Sequence, residues 1–174
     1  LGTPTSFDLE EAIADLEGGY DALLTPSGLA AINIALLAFL RPGDHVLVAD
    51  SVYAWTRSFS DQMLSDLGVE VQYYNPLVGA DIASLIRPKT RVIFLESPGS
   101  YTFEVQDIPA ITKVAREHQV TTILDNTWAT PLFFKSFEHG VDVSVHAATK
   151  YLSGHSDVMM GAIVCNEASW GAVH

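Results

Sequence analysis

Cysteine is almost missing from this sequence. Cys165 is the only one, so no internal disulfide can form, and the chain is compatible with a reducing compartment. Basic residues are also scarce. Nine Lys and Arg stand against 21 Asp and Glu, which gives a formal charge of -12 and a pI near 4.6. That balance argues against a phosphate-backbone binder, so nucleic acid is not an expected partner. No apolar run reaches the roughly 18 residues of a membrane span. The longest, Leu29 to Leu40, is interrupted by Asn33 and ends at Arg41-Pro42-Gly43, so no membrane partner is expected either. The dinucleotide fingerprint G-x-G-x-x-G, the phosphate loop G-x-x-x-x-G-K-[ST] and the metal motif H-E-x-x-H are all missing. Nicotinamide, nucleoside triphosphate and metal sites therefore lack direct support, and His139, His146 and His155 read as capping, packing or loop residues. There is no initiator Met and no charged-then-apolar signal segment. The last residues, Trp170-Gly171-Ala172-Val173-His174, carry no helix stop signal. A piece of something longer is the expectation.

What is present is a folded type of chain, with 48% hydrophobic and 17% charged residues over 174 positions. That length suffices for one core, and no repeat, low-complexity tract or Pro-rich linker divides it. Leu9, Ile13 and Leu16 recur at helical spacing and predict a helix from Asp8 to Glu17, before Gly18-Gly19. A short apolar run, Ala22 to Thr25, leads through Pro26-Ser27-Gly28 to an almost wholly apolar helix from Leu29 to Leu40, which must be buried on most sides. Strands are predicted at His45–Ala49, Val69–Tyr73, Arg91–Leu95, Thr121–Leu124, Asp142–His146 and Ala162–Cys165. Helices are predicted at Trp55–Leu67, Ala80–Ile86 and Ile108–His118. This alternation implies an α/β fold of three layers, a mostly parallel sheet covered on both faces. Ligands of such sheets lie beyond the carboxyl ends of the strands.

Two residues fall at such ends. Lys150, in Ala147-Ala148-Thr149-Lys150-Tyr151, follows an apolar strand and precedes the flexible Ser153-Gly154-His155-Ser156. Asp125, in Asp125-Asn126-Thr127-Trp128, directly follows Thr122-Ile123-Leu124. Taken singly, the lysine reads as a surface residue and the aspartate as a turn former or cap. Together they have a joint use in Schiff-base chemistry with pyridoxal phosphate, where lysine carries the aldehyde and an acid keeps the ring nitrogen protonated. The phosphate of such a cofactor suits Ser27-Gly28-Leu29 at the start of the apolar helix, where free amides and the helix dipole meet and Gly28 permits close approach. Thr149 offers a hydroxyl to the same phosphate, and Tyr53 a ring to stack. An ordinary helix cap and a half-buried core aromatic are the plain alternatives for Gly28 and Tyr53. Trp55 and Trp128 suit either a substrate channel or the core, and Cys165 reads as a small core residue.

The ordered set Ser27-Gly28-Leu29, Tyr53, Glu96-Ser97-Pro98, Asp125-Asn126-Thr127-Trp128 and Ala148-Thr149-Lys150-Tyr151 resembles the pyridoxal-phosphate-dependent enzymes of cysteine and methionine metabolism, over essentially the whole chain. The resemblance implies the large cofactor-binding domain of the aspartate-aminotransferase-like (type I) fold, occupying residues 1–174 and lacking an N-terminal arm and a C-terminal small domain. It implies that Lys150 is the Schiff-base lysine and Asp125 the ring-nitrogen partner. Gly28 and Leu29 would supply phosphate amides, Thr149 a phosphate hydroxyl and Tyr53 the stacking ring, with Lys150 and Tyr53 the catalytic pair. Details around Lys150-Tyr151-Leu152-Ser153-Gly154-His155-Ser156-Asp157 are most similar to the β-lyases, which cleave cystathionine to homocysteine, pyruvate and ammonia. A γ-acting relative and a non-catalytic remnant remain the alternatives. Two positions depart from the family pattern: Ala147 stands where many relatives have serine, and Ser100 where γ-type members have asparagine. A cytoplasmic homodimer or homotetramer with a small amino-acid substrate completes what the resemblance implies.

Overall fold

Short apolar segments bounded by turn formers become seven strands in a single sheet, and the computed structural model describes residues 2–174. In chain order the strands are β1 (Asp21–Thr25), β2 (His45–Ala49), β3 (Glu70–Tyr74), β4 (Thr90–Glu96), β5 (Thr121–Asp125), β6 (Val143–His146) and β7 (Gly161–Cys165). Their order across the sheet is β1-β7-β6-β5-β4-β2-β3. The five strands from β6 to β3 run parallel, and β7 is antiparallel to both its neighbours. The expected α/β class and mostly parallel sheet are therefore present.

Helices cover both faces. Along β7, Ile163 and Cys165 join the large apolar cluster with Ala31, Ile32, Ala35 and Leu36 of α2 (Gly28–Phe39). The alternate residues Ala162 and Val164 join a small cluster with Ile13 and Ala14 of α1 (Pro4–Glu17). Successive strand residues point to opposite faces, so α1 and α2 lie on opposite sides of the sheet. Burial pushes the Cys165 thiol up to about 12, with Asp21 adding to the effect, which fits a core residue.

Several helices differ from expectation. The first begins at Pro4 rather than Asp8, because Thr3 and Ser6 form a reciprocal cap there and Pro4 fits the first turn. The predicted Trp55–Leu67 helix is α3 (Ala54–Phe59), running on into a π-helical turn at Ser60–Leu64. The predicted Ala80–Ile86 helix is a 3₁₀ turn at Gly79–Leu85, short enough for the tighter winding. Ile108–Glu117 forms α4 with Asp107 as its cap. Two further helices gave no clear pattern: α5 (Thr130–Phe133) is a single turn, and α6 (Glu167–Val173) starts on Asn166, which accepts the Ser169 N–H at 2.9 Å. Among the described residues no helix is long and apolar enough to cross a membrane.

Candidate active site

The carboxyl ends of β2, β4, β5 and β6 and the amino end of α2 surround one cleft of about 910 Å³. Each of the six residues singled out from the sequence lines it: Gly28, Leu29, Tyr53, Asp125, Thr149 and Lys150. Trp55 and Trp128 line it as well, which answers the choice between channel and core.

Helix α2 reaches the cleft because Gly28 has no side chain. A Cβ there would stand 2.5 Å from Ala147 Cβ, so glycine alone allows the helix start to press against the loop after β6. Ser27 caps the helix by accepting the Ala30 N–H at 3.1 Å. The Gly28 and Leu29 amides have no acceptor among the described residues, and both face the positive end of the helix dipole.

Asp125 and Glu96 are paired in register on adjacent strands, which brings two buried carboxyls together at the cleft floor. Burial raises the Asp125 carboxyl above its ordinary range, opposed by bonds from Thr127 and the charge of His146. Its one hydrogen-bond donor among the described residues is the Thr127 N–H, at 3.0 Å. Burial and the neighbouring Asp125 push Glu96 up to about 8. Glu96 accepts the Tyr53 N–H at 2.9 Å and the Ser100 hydroxyl, so it fixes both at the rim. The Tyr53 ring is 41% exposed, open to a partner over the cleft rather than packed in the core.

Lys150 sits in the turn after β6, held by its N–H to Ala147 O at 2.9 Å, and its Nζ has no partner among the described residues. Thr149 is placed differently from its neighbour. Its hydroxyl donates to Met160 O at 3.1 Å and accepts the Met160 N–H at 3.0 Å, so its proton is committed to the loop. Thr127 links the two halves of the site: its N–H serves Asp125, and its hydroxyl accepts the Ala147 N–H at 2.8 Å. Sequence reasoning missed Thr127, the bracing role of Glu96, and Glu17 with His146 beneath the floor. Glu17 was detectable as the i+4 neighbour of Ile13 on the core face of α1. Ser144 and His146 alternate with apolar residues in β6, a period-two pattern of polar side chains aimed at one buried face.

These residues suit pyridoxal phosphate. Two unpaired helix-start amides match a phosphate, a buried carboxyl matches a protonated ring nitrogen, and an unpartnered lysine lines the same cleft. Among the described residues there is no cluster of His, Cys, Asp or Glu arranged to hold a metal.

Comparison with known proteins gives the family. The family model "Cys/Met metabolism PLP-dependent enzyme" matches residues 1–174. A putative cystathionine beta-lyase of Saccharomyces cerevisiae is 55% identical over 169 residues, 97% of this chain and 50% of its own. Cystathionine beta-lyase MetC of Escherichia coli is 47% identical over 171 residues, 97% of this chain and 43% of its own. The crystal structure of a putative O-acetylhomoserine (thiol)-lyase from Campylobacter jejuni, holding a pyridoxyl-lysine phosphate, superposes with a TM-score of 0.89 at 32% identity, over 98% of this chain and 42% of that one. The chain thus spans half or less of the length of these relatives. On the match of the family model and the identity to its named members, the chain belongs to the pyridoxal-phosphate-dependent enzymes of cysteine and methionine metabolism.

Proposed function

We propose that this chain forms the cofactor-binding part of a carbon–sulfur lyase that cleaves cystathionine by β-elimination, with water, to homocysteine, pyruvate and ammonia. The observation that carries this reading is the meeting of Lys150, Asp125 and the unpaired α2 amides in one cleft. When bound there, pyridoxal phosphate supplies an electron sink that acidifies the substrate Cα–H and lets the Cβ–S bond break. The Gly28 and Leu29 amides hold the phosphate. Asp125 holds the proton of the ring nitrogen, and Tyr53, braced by Glu96, covers the ring. Lys150, whose Nζ has no internal partner in the cleft, would hold the aldehyde of the cofactor and, once displaced by the substrate amine, would serve as base for the Cα proton. Thr149 contributes to the phosphate only by releasing Met160.

The likeness to proteins named cystathionine beta-lyase supports β- over γ-elimination. Product analysis on cystathionine tests it: pyruvate with homocysteine is expected, and 2-oxobutyrate would replace this reading with γ-cleavage. The natural protein is proposed to work as a cytoplasmic homodimer or homotetramer. Exposed Trp55, Tyr101, Phe103, Trp128, Tyr151 and Met159 on and around the cleft rim support a covering partner surface, and a single buried thiol suits a reducing compartment. The isolated 174 residues are accordingly proposed to bind the cofactor poorly and turn over little. Substantial lyase activity from this chain alone would refute that.

A further inference from the structure

The aldehyde and the phosphate arm of pyridoxal phosphate stand on neighbouring carbons of one rigid ring, so a protein that grips both must keep its two anchors at a fixed spacing. Here the anchors come from distant segments. The start of α2 offers the Gly28 and Leu29 amides, whereas Lys150 belongs to the turn after β6.

Both segments meet the residues that open β7. Thr149, next to Lys150, is bonded to Met160 through its N–H and through its hydroxyl. The following residue, Gly161, is paired with Thr25 across β7 and β1, and the alternation that sends Ile163 and Cys165 to the α2 side sends Gly161 there too. A Cβ on Gly161 would stand 2.2 Å from Ser27 O and 2.4 Å from Thr25 Oγ1. Glycine in a strand weakens it and marks a close backbone approach, and the group approached here is the cap of α2. Buried Thr25 donates its hydroxyl to the same Ser27 O at 2.9 Å, and that carbonyl also accepts the Ala31 N–H at 3.0 Å. The Ser27 carbonyl is thus held between a hydroxyl of β1 and the bare backbone of β7.

We propose that Thr25 and Gly161 are positioning residues: with Met160 they lock the start of α2 to the Lys150 turn and set the spacing between the phosphate amides and the lysine. The inference rests on the cofactor reading given above. Gly28 makes a second contact of the same kind, with its bare Cα against Ala147, three residues before Lys150. At each contact one partner lacks a side chain, so no change of rotamer alters the spacing. Neither Thr25 nor Gly161 lines the cleft, so a change at either reaches the cofactor only through Ser27 and Met160.

The test compares two ligands of the complete enzyme by the absorbance of their lysine-bound forms: pyridoxal phosphate, and pyridoxal, which keeps the aldehyde and lacks the phosphate. The ratio of their affinities reads the phosphate grip separately from the lysine. Thr25→Val removes the hydroxyl and keeps the shape, and is expected to lower this ratio about fivefold. Gly161→Ala drives a methyl into Ser27 and is expected to lower it about tenfold. Thr25→Ser keeps the hydroxyl and should hold the ratio near that of the wild type. Affinity for pyridoxal itself should stay within about twofold throughout. An unchanged ratio in folded Thr25→Val and Gly161→Ala would overturn the proposal and leave the phosphate at α2. An equal loss of both ligands would assign the two residues to the fold alone and overturn it as well. Where Gly161→Ala does not fold, the two Thr25 variants decide. A wild-type enzyme that holds pyridoxal as tightly as pyridoxal phosphate would remove the phosphate site, and the proposal with it.

Discussion

The two faces of the sheet are built on different principles. On the α2 side the helix presents Ala31, Ile32, Ala35 and Leu36 to a large and continuous apolar core. On the α1 side the apolar cluster reduces to Ile13, Ala14, Ala22, Ala162 and Val164, and beside it Glu17 gathers its four donors. One face holds the fold by removing hydrocarbon from water. The other buries a hydrogen-bonded carboxyl on the far side of the strands that end at the site. The difference teaches that polar burial here follows the position of the cleft rather than the need for a core.

The sharpest way to break this contrast is on the apolar side. Leu36→Ala, at a fully buried position, is expected to cost about 2–5 kcal/mol, read from chemical denaturation. On the opposite face Glu17→Leu leaves the buried donors of Ser136, Ser144, His146 and Asn126 without their acceptor, and is expected to cost about 3 kcal/mol in the same measurement. At the seam between the two faces, Gly28→Ala drives a methyl into Ala147. An expected loss of about 1–3 kcal/mol should come, in the complete enzyme, with a greater loss of pyridoxal phosphate affinity, because the helix start is pushed from the cleft.

Stability against pH separates the faces more finely. Glu17 has its folded pKa lowered, so its contribution is present above its unfolded value near 4.5 and is lost as pH falls through the folded value. Glu96 has its folded pKa raised to about 8 from 4.5, so the folded state holds the extra proton between these values and stability declines as pH rises across that window. Melting temperatures followed from about pH 2 to pH 9 should therefore lose the alkaline decline in Glu96→Gln and the acid decline, below about pH 4.5, in Glu17→Gln, each without the other. The smallest stability effect is expected from Lys150→Ala, within about 0.5 kcal/mol at an exposed, unpartnered side chain. In the complete enzyme the same change should abolish the absorbance of lysine-bound pyridoxal phosphate, and retained absorbance there would remove Lys150 from its proposed role.

Much of the sheet was legible because its strands are apolar runs of about five residues ending in turn formers, and the six expected strands lie where they were read, within a residue or two. The antiparallel insertion of β7 between β1 and β6 was not legible. It depends on pairing between Asp21 and Cys165, across nearly the whole chain. The site followed the same division. Lys150 and Asp125 could be read because each follows a strand. The Glu17–His146 contact joins positions 129 apart, and neither partner carries a local motif. Thr149 was assigned a hydroxyl free for phosphate, since nothing in its neighbourhood in sequence announces that Met160 returns to engage it.

That return has a mechanical consequence. Thr149 and Met160 are joined by three bonds, two through the threonine hydroxyl and one from the Thr149 N–H to Met160 O at 3.0 Å. The segment from Lys150 to Met159 is a loop drawn closed at its neck, with Lys150 at the knot and exposed His155, Ser156 and Asp157 at the far end. Cutting the backbone at the far end would leave both strands still fastened, and the lysine still aimed, so the loop behaves as a handle whose length evolution can alter without disturbing the group at its base.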